Sequence, residues 1–341
     1  MFRAFQALTL LLPMYGLMAA KVGDGSKGSR HTVENTEGTP ILWREPNIES
    51  RDLFFGSGGK EHAPHSRTFV FIKEDLDGTN PKFLVRDDDG VKWKIKLGAE
   101  AQPETAASRL VWAVGYFTDE DYYMPDVRVT ELPEHLHRGK QFISAGGLVR
   151  GVRLKREDKS ESKAGNWKWK RDPFSGTREL NGLRALMAVI NNWDLKDINN
   201  SVRVEKSNDT AGEWVYMVSD LGASFGTVNL VWPHEKSRGN LDAYSHSKFI
   251  AKTTSADIDF AVPGRPSIVG IFNPRAYFGR LRLRWIGRHL PRSDAKWMGQ
   301  TLARLSPNQI RDAFRAAGYS EPEVEGFAQV LENRIAALTD L

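Results

Sequence analysis

Residues 91–97, VKWKIKL, alternate so strictly that they fix one face of a structure before anything else is known. Val91, Trp93, Ile95 and Leu97 fall on one side and Lys92, Lys94 and Lys96 on the other, the two-residue period of a strand with one buried face. Such a strand needs partners, and two β-like runs precede it. SRTFVFIKE and PKFLVRD flank the turn residues Asp77-Gly78-Thr79-Asn80, and a second turn, Asp87-Asp88-Asp89-Gly90, leads into 91–97. A three-strand meander is therefore expected. At 341 residues and 40% hydrophobic content the chain can bury a sizeable core, in one two-lobed domain or two domains in close contact.

A helix is expected from Pro103 through Gly115, with Pro103 in its first turn and Ala106, Leu110 and Val114 at helical spacing. DVRVTEL is a further strand. Residues 151–171 hold eight Lys/Arg against three Asp/Glu and read as a basic surface insertion. Trp167 and Trp169 alternate with lysines there; a solvated strand with lysine stems over the tryptophans is expected in preference to a nucleic-acid surface. Leu180, Leu183, Met187 and Ile190 form a helical stripe that runs into NNWDLKDINN, residues 191–200. SVRVEK and EWVYMVSD then make a hairpin ending in Asp220-Leu221-Gly222. Ser306-Pro307 starts one late helix, and Ser320 with Glu323 forms a capping box for another.

The first twenty residues pair Arg3 with an apolar run ending in small residues, as in a secretory signal peptide, so an exported, periplasmic or secreted, protein is expected. A retained anchor is the alternative. Lys21, Lys27 and Arg30 beyond the run outnumber Arg3 before it, which would keep the body cytoplasmic and attach it to a membrane through residues 1–20. Residues 21–66, rich in Gly, Ser, His and Pro, read as an extended leading segment. The net charge of +5 favours polyanionic partners only mildly, and a nucleic-acid partner is not expected. The absence of Cys excludes disulfides, Cys zinc sites and thiol nucleophiles.

The order of parts is thus a meander with a lysine, a helix with a glutamate, a second helix, a polar loop, a hairpin and Asp-Leu-Gly. Phosphoryl transfer needs such parts: a lysine on the nucleotide phosphates, a glutamate holding it, an aspartate orienting the attacking hydroxyl, and an amide and a carboxylate for magnesium. Asp194-Leu195-Lys196-Asp197-Ile198-Asn199 resembles the D-L-K-x-x-N core of the protein-kinase catalytic loop, and Asp220-Leu221-Gly222 resembles its metal-binding D-F-G. The resemblance implies an α+β, bilobal protein-kinase-like fold, with a small β-rich N-lobe at 67–132 and a larger, mainly helical C-lobe at 133–341. It also implies an ATP- and Mg2+-dependent phosphotransferase, with Mn2+ as the alternative ion and a hydroxyl-bearing protein, glycan, lipid or small molecule as acceptor.

Residue by residue, it implies that Asp194 accepts the hydroxyl proton, Lys196 neutralises the transferring phosphoryl group, and Asn199 and Asp220 hold the metal. Asn200 is the alternative to Asn199. Lys96 would bind phosphates and Glu104 would be its ion-pair partner, with Glu100 as the rival. The His-Arg of the usual pattern is Asn192-Trp193 here, so control by loop phosphorylation is not implied. No G-x-G-x-x-G separates the first two strands, and GSGGK at 56–60 fails the Walker pattern, with Phe54 and Glu61 where Gly and Ser or Thr belong. These departures resemble the atypical branches: secreted kinases of the Golgi casein-kinase type, spore-coat kinases, bacterial toxin kinases and phosphatidylinositol kinases. Two other readings compete, a nucleotide- or partner-binding pseudokinase scaffold and a serine hydrolase using Ser224 in Gly222-Ala223-Ser224-Phe225-Gly226, with His234, His246 or His289 as base.

Overall fold

The computed structural model describes residues 38–78, 80–157, 162–205, 212–227, 238–261, 278–279 and 281–341. The expected signal segment and the first part of the leading segment lie outside the described residues, as does His234. Among the described residues no helix is long and apolar enough to cross a membrane.

After a short strand β1 (Thr39–Ile41), the meander forms as its alternation requires: β2 (Thr68–Asp75), β3 (Lys82–Arg86) and β4 (Lys92–Leu97) pair antiparallel in sequence order. Helix α1 (Ala101–Ala113) follows, then β5 (Phe117–Thr118), β6 (Asp121–Thr130), β7 (Ile143–Ser144) and β8 (Leu148–Arg156). Strand β6 runs parallel to β2, β8 runs antiparallel to β6, and β8 also pairs with β4. That last pairing closes β4-β3-β2-β6-β8 into a ring, with β7 beside β8. Phe69, Phe83, Trp93, Ile95, Tyr122 and Leu154 point into it and form a core of their own. The inward face of β8 changes parity at Gly151, where a φ of 61° is open to glycine and strained for other residues.

The ring moves the expected lobe boundary. Residues 143–156 lie beyond the N-lobe end placed at 132, yet β8 bonds to strands on both sides and completes the barrel. The basic run therefore begins as a central strand; only part of it was legible as surface, because Val152 and Leu154 face inward while Arg153 and Lys155 face out.

The second sheet has the order β1-β11-β10-β9, built from β9 (Ser162–Gly165), β10 (Asn200–Glu205) and β11 (Glu213–Val218), with β5 beside β11. It packs with helices α2 (Arg178–Val189), α3 (Leu241–Ser245), α4 (Arg292–Leu302), α5 (Pro307–Ala316) and α6 (Glu321–Thr339) around a larger core. A small sheet of β12 (Ile250–Thr253), β13 (Asp257–Phe260) and β14 (Leu290–Pro291) adjoins it. The result is α+β, a β-rich part and a larger, mainly helical part. Helices α5 and α6 start at Ser306 and Ser320 as expected; the capping box expected at Ser320 is present, and Ser306 forms another with Gln309.

Two further expectations fail on packing grounds. Trp167 and Trp169 are buried, not solvated: their rings meet at 4.9 Å and Trp167 Nε1 donates to the Met217 carbonyl at 2.8 Å. The later part of the leading segment is no loose extension, because β1 pairs with β11 and Leu42, Ile48 and Leu53 enter the larger core.

Candidate active site

Strand β4 sets Lys96 directly opposite Arg153 of β8. Two cations facing each other across a sheet repel unless a carboxylate bridges them. Helix α1, which covers this outer face of the barrel, supplies it: Glu104 reaches Lys96 Nζ with Oε2 at 2.7 Å and Arg153 with Oε1 at 2.8 Å. All three side chains are almost fully buried, so the charges are screened by one another rather than by water. Lys96 Nζ also meets Asp220 Oδ1 at 2.7 Å and Glu100 Oε2 at 3.3 Å. Both glutamates weighed as its partner thus bond it, Glu104 more closely.

Burial alone would lower the Lys96 pKa, but Glu104, Asp220 and Glu100 outweigh it and hold the ammonium charged above its ordinary range. Burial likewise opposes ionisation of Asp220, and Lys96 overrides it, so the Asp220 carboxyl is lowered. Asp220 differs from the other two acids in access: its side chain is 44% exposed, against 9% for Glu100 and 2% for Glu104. Its backbone is left-handed, φ 54° and ψ 53°, an uncommon conformation for a residue other than glycine, asparagine or aspartate and one that recurs at functional sites.

The ion network continues beyond Glu104. Arg153 Nε lies 3.3 Å from Asp121 Oδ1, and Asp119 pairs with Lys155 at 2.7 Å and with Arg203. Burial pushes the Asp121 carboxyl up to about 7, Arg153 only partly offsetting it, with Glu104 adding repulsion. Since this folded value lies above the unfolded one, the native state holds the extra proton between about pH 4 and pH 7, and the Asp121 contribution to stability falls as pH rises through that window. Asp121→Asn should flatten the pH dependence of the unfolding free energy there, by an amount of up to about 4 kcal/mol. Urea melts of both proteins across the window check this, and superimposable profiles would refute it.

The catalytic-loop candidates form a second group. Asn192 Oδ1 accepts from the Asp194 amide at 2.9 Å, Asn199 Nδ2 donates to the Asp194 carbonyl at 2.7 Å, and Lys196 Nζ pairs with the Asp194 carboxylate at 2.8 Å. Polar side chains thus brace the loop from both ends. It is joined to the Asp220 group by a bond from the Ser219 amide to the Asn199 carbonyl at 3.0 Å. Asn199, Asn200 and Asp220 line one cavity of about 300 Å³, together with Lys94, Lys155 and Arg203. Asp194 and Lys196 do not line it.

Arg153 was missed by sequence reasoning, and its signal was the Val152-Arg153-Leu154-Lys155 alternation inside the basic run. Ser224, by contrast, is fully buried in extended backbone, and its hydroxyl has no hydrogen-bond partner among the described residues. A nucleophile must meet both a base and a substrate. His246 and His289 are exposed and sit beside Asp242 and Asp259 instead.

No family model and no curated protein matches the chain. Among solved structures it is similar to the proinflammatory kinase CtkA of Helicobacter pylori, at 10% identity and a TM-score of 0.43, over 81% of this chain and 97% of that one. It is similar also to the Golgi casein kinase, at 10% identity and a TM-score of 0.36, over 81% of this chain and 72% of that one. The Golgi casein kinase with Mn/ADP bound gives a TM-score of 0.38 at the same identity and coverage.

Proposed function

We propose that this chain is a phosphotransferase that moves the γ-phosphoryl group of ATP to a hydroxyl with the help of Mg2+. The carrying observation is the contact of Lys96 with both Glu104 and Asp220, made between a barrel strand, the helix over it and the turn after the β10–β11 hairpin. Oxygen donors suit a hard divalent cation, and Asp220 and Asn199 offer them on one cavity wall. The Asn199 amide nitrogen is taken up by the Asp194 carbonyl, which leaves its oxygen for a cation. The residues present therefore fit the ion; when bound, it would neutralise charge on the phosphate oxygens.

Lys96 has three N–H donors and three carboxylates around it. Phosphate engagement therefore exchanges at least one of these, and Asp220, the accessible one, is the partner to yield. Asp194 takes the proton of the acceptor hydroxyl as its oxygen bonds to the γ-phosphorus and the bond to the β-phosphate oxygen breaks, releasing ADP. Lys196, already paired with Asp194, offsets the charge that develops on the transferring group.

Calorimetry of residues 21–341 with ATP, with and without Mg2+, tests this. Magnesium-dependent binding should appear and should be lost in Asp220→Ala. Absence of binding under every metal condition would sink the reading. Binding without turnover in the presence of acceptors would favour the pseudokinase scaffold.

A further inference from the structure

The loop that carries Asp194 has a tryptophan where the kinase pattern has arginine, and an arginine from elsewhere lies over it. The Arg238 guanidinium sits 5.7 Å from the centre of the Trp193 ring, within cation–π range. The same guanidinium donates to Glu100 Oε1. Glu100 begins α1, and its other oxygen accepts from Asn80 of the β2–β3 turn and meets Lys96 Nζ at 3.3 Å. The stem of Glu100 packs on the backbone of Gly222, where a Cβ would fall 2.6 Å from the Glu100 Cβ, so this approach requires glycine. One side chain thus touches the β2–β3 turn, the strand lysine, Asp-Leu-Gly and the segment that reaches the catalytic loop.

We propose that Glu100 and Arg238 form a positioning pair that couples the catalytic loop to the Lys96 site. Neither residue is assigned contact with the reacting atoms. The pair deepens the phosphotransferase reading and rests on it for its catalytic meaning, but the coupling itself is a physical property that can be measured without nucleotide.

The local amides report it. The Glu104 amide bonds the Glu100 carbonyl at 3.1 Å, the Asn199 amide the Lys196 carbonyl at 2.9 Å, and the Trp193 amide the Ala223 carbonyl at 3.3 Å. In Arg238→Ala, hydrogen exchange at these amides should accelerate about tenfold while α6 amides stay unchanged, the signature of local rather than global opening. Arg238→Lys should restore part of the protection, since it keeps the charge and loses the planar fork. Glu100→Gln should also accelerate these amides, and the double variant should fall short of the product of the two single effects, because both substitutions weaken the Arg238–Glu100 contact while Glu100→Gln also weakens the contact with Lys96. The affinity for Mg2+ and ATP should fall about tenfold in each single variant.

Uniform acceleration across the chain would show a merely structural role. Independent, multiplying effects of the two substitutions, or no change at the three amides, would equally overturn the pair. If the unaltered protein binds no ATP, the phosphotransferase reading falls by itself, and the exchange pattern alone decides whether the coupling exists.

Discussion

Lys96→Met should lower ATP turnover or autophosphorylation by at least about a hundredfold, the scale seen when one preorganised charge is withdrawn from a developing anion. The loss has two sources. The ammonium that would engage the phosphates disappears, and of the three carboxylates whose oxygens lie within 4.8 Å of one another, Glu104 keeps Arg153 and Glu100 keeps Arg238 while Asp220 loses the cation it faced. Lys96 is what holds the Asp220 carboxyl down against its burial, so without it Asp220 gains affinity for a proton and loses fitness for a metal. Lys96→Arg should not rescue, since a planar fork cannot point donors at three carboxylates arranged around one nitrogen. Radiolabelled ATP with purified variants is the measurement. A variant that keeps more than about a tenth of the normal rate would remove Lys96 from the site.

Arg153→Met should destabilise the fold by about 3–5 kcal/mol, the cost of breaking a buried pair from one side. Arg153 is 4% exposed and bridges Glu104 of α1 to Asp121 of β6, so its removal strands Asp121 in the interior and leaves Glu104 with Lys96 alone. The melting temperature should fall by roughly 10 °C. Arg153→Met combined with Asp121→Leu should recover part of the loss, because the stranded acid goes with the cation. Thermal melts of the single and double variants check this; a single variant within about 1 kcal/mol of the parent would show that the network is solvated, whatever its burial.

The two halves of the site differ in how they could be read. Asp194, Lys196 and Asn199 stand within six residues and are braced by their own loop, so their arrangement is written locally in NNWDLKDINN. Lys96 and Glu104 were legible because one strand and one helix show their periods cleanly. Arg153 was not, since its burial depends on a carboxylate from 49 positions earlier, and nothing in a local charge count distinguishes a cation that meets a distant acid from one that meets water. Trp167 and Trp169 mislead in the same way: lysines alternate with them, but the β10–β11 hairpin that covers them arrives later in the chain. The left-handed backbone of Asp220 left no trace in composition at all.

The ring of five strands carries a consequence for how this chain comes to exist. Its closing strand, β8, pairs with β4 about fifty residues after β4 has been made, and with β6 in between. Until residue 156 has emerged from the ribosome, β4 keeps an unpaired edge, and its apolar residues have only part of their enclosure. Glu104 waits as long for Arg153, so a nascent chain holds the lysine and glutamate of its site before it holds the cation that fixes them. Birth order thus makes the β-rich part a late-sealing vessel: a truncation before β8 yields a sticky edge rather than a smaller working half, and one after it yields a closed shell.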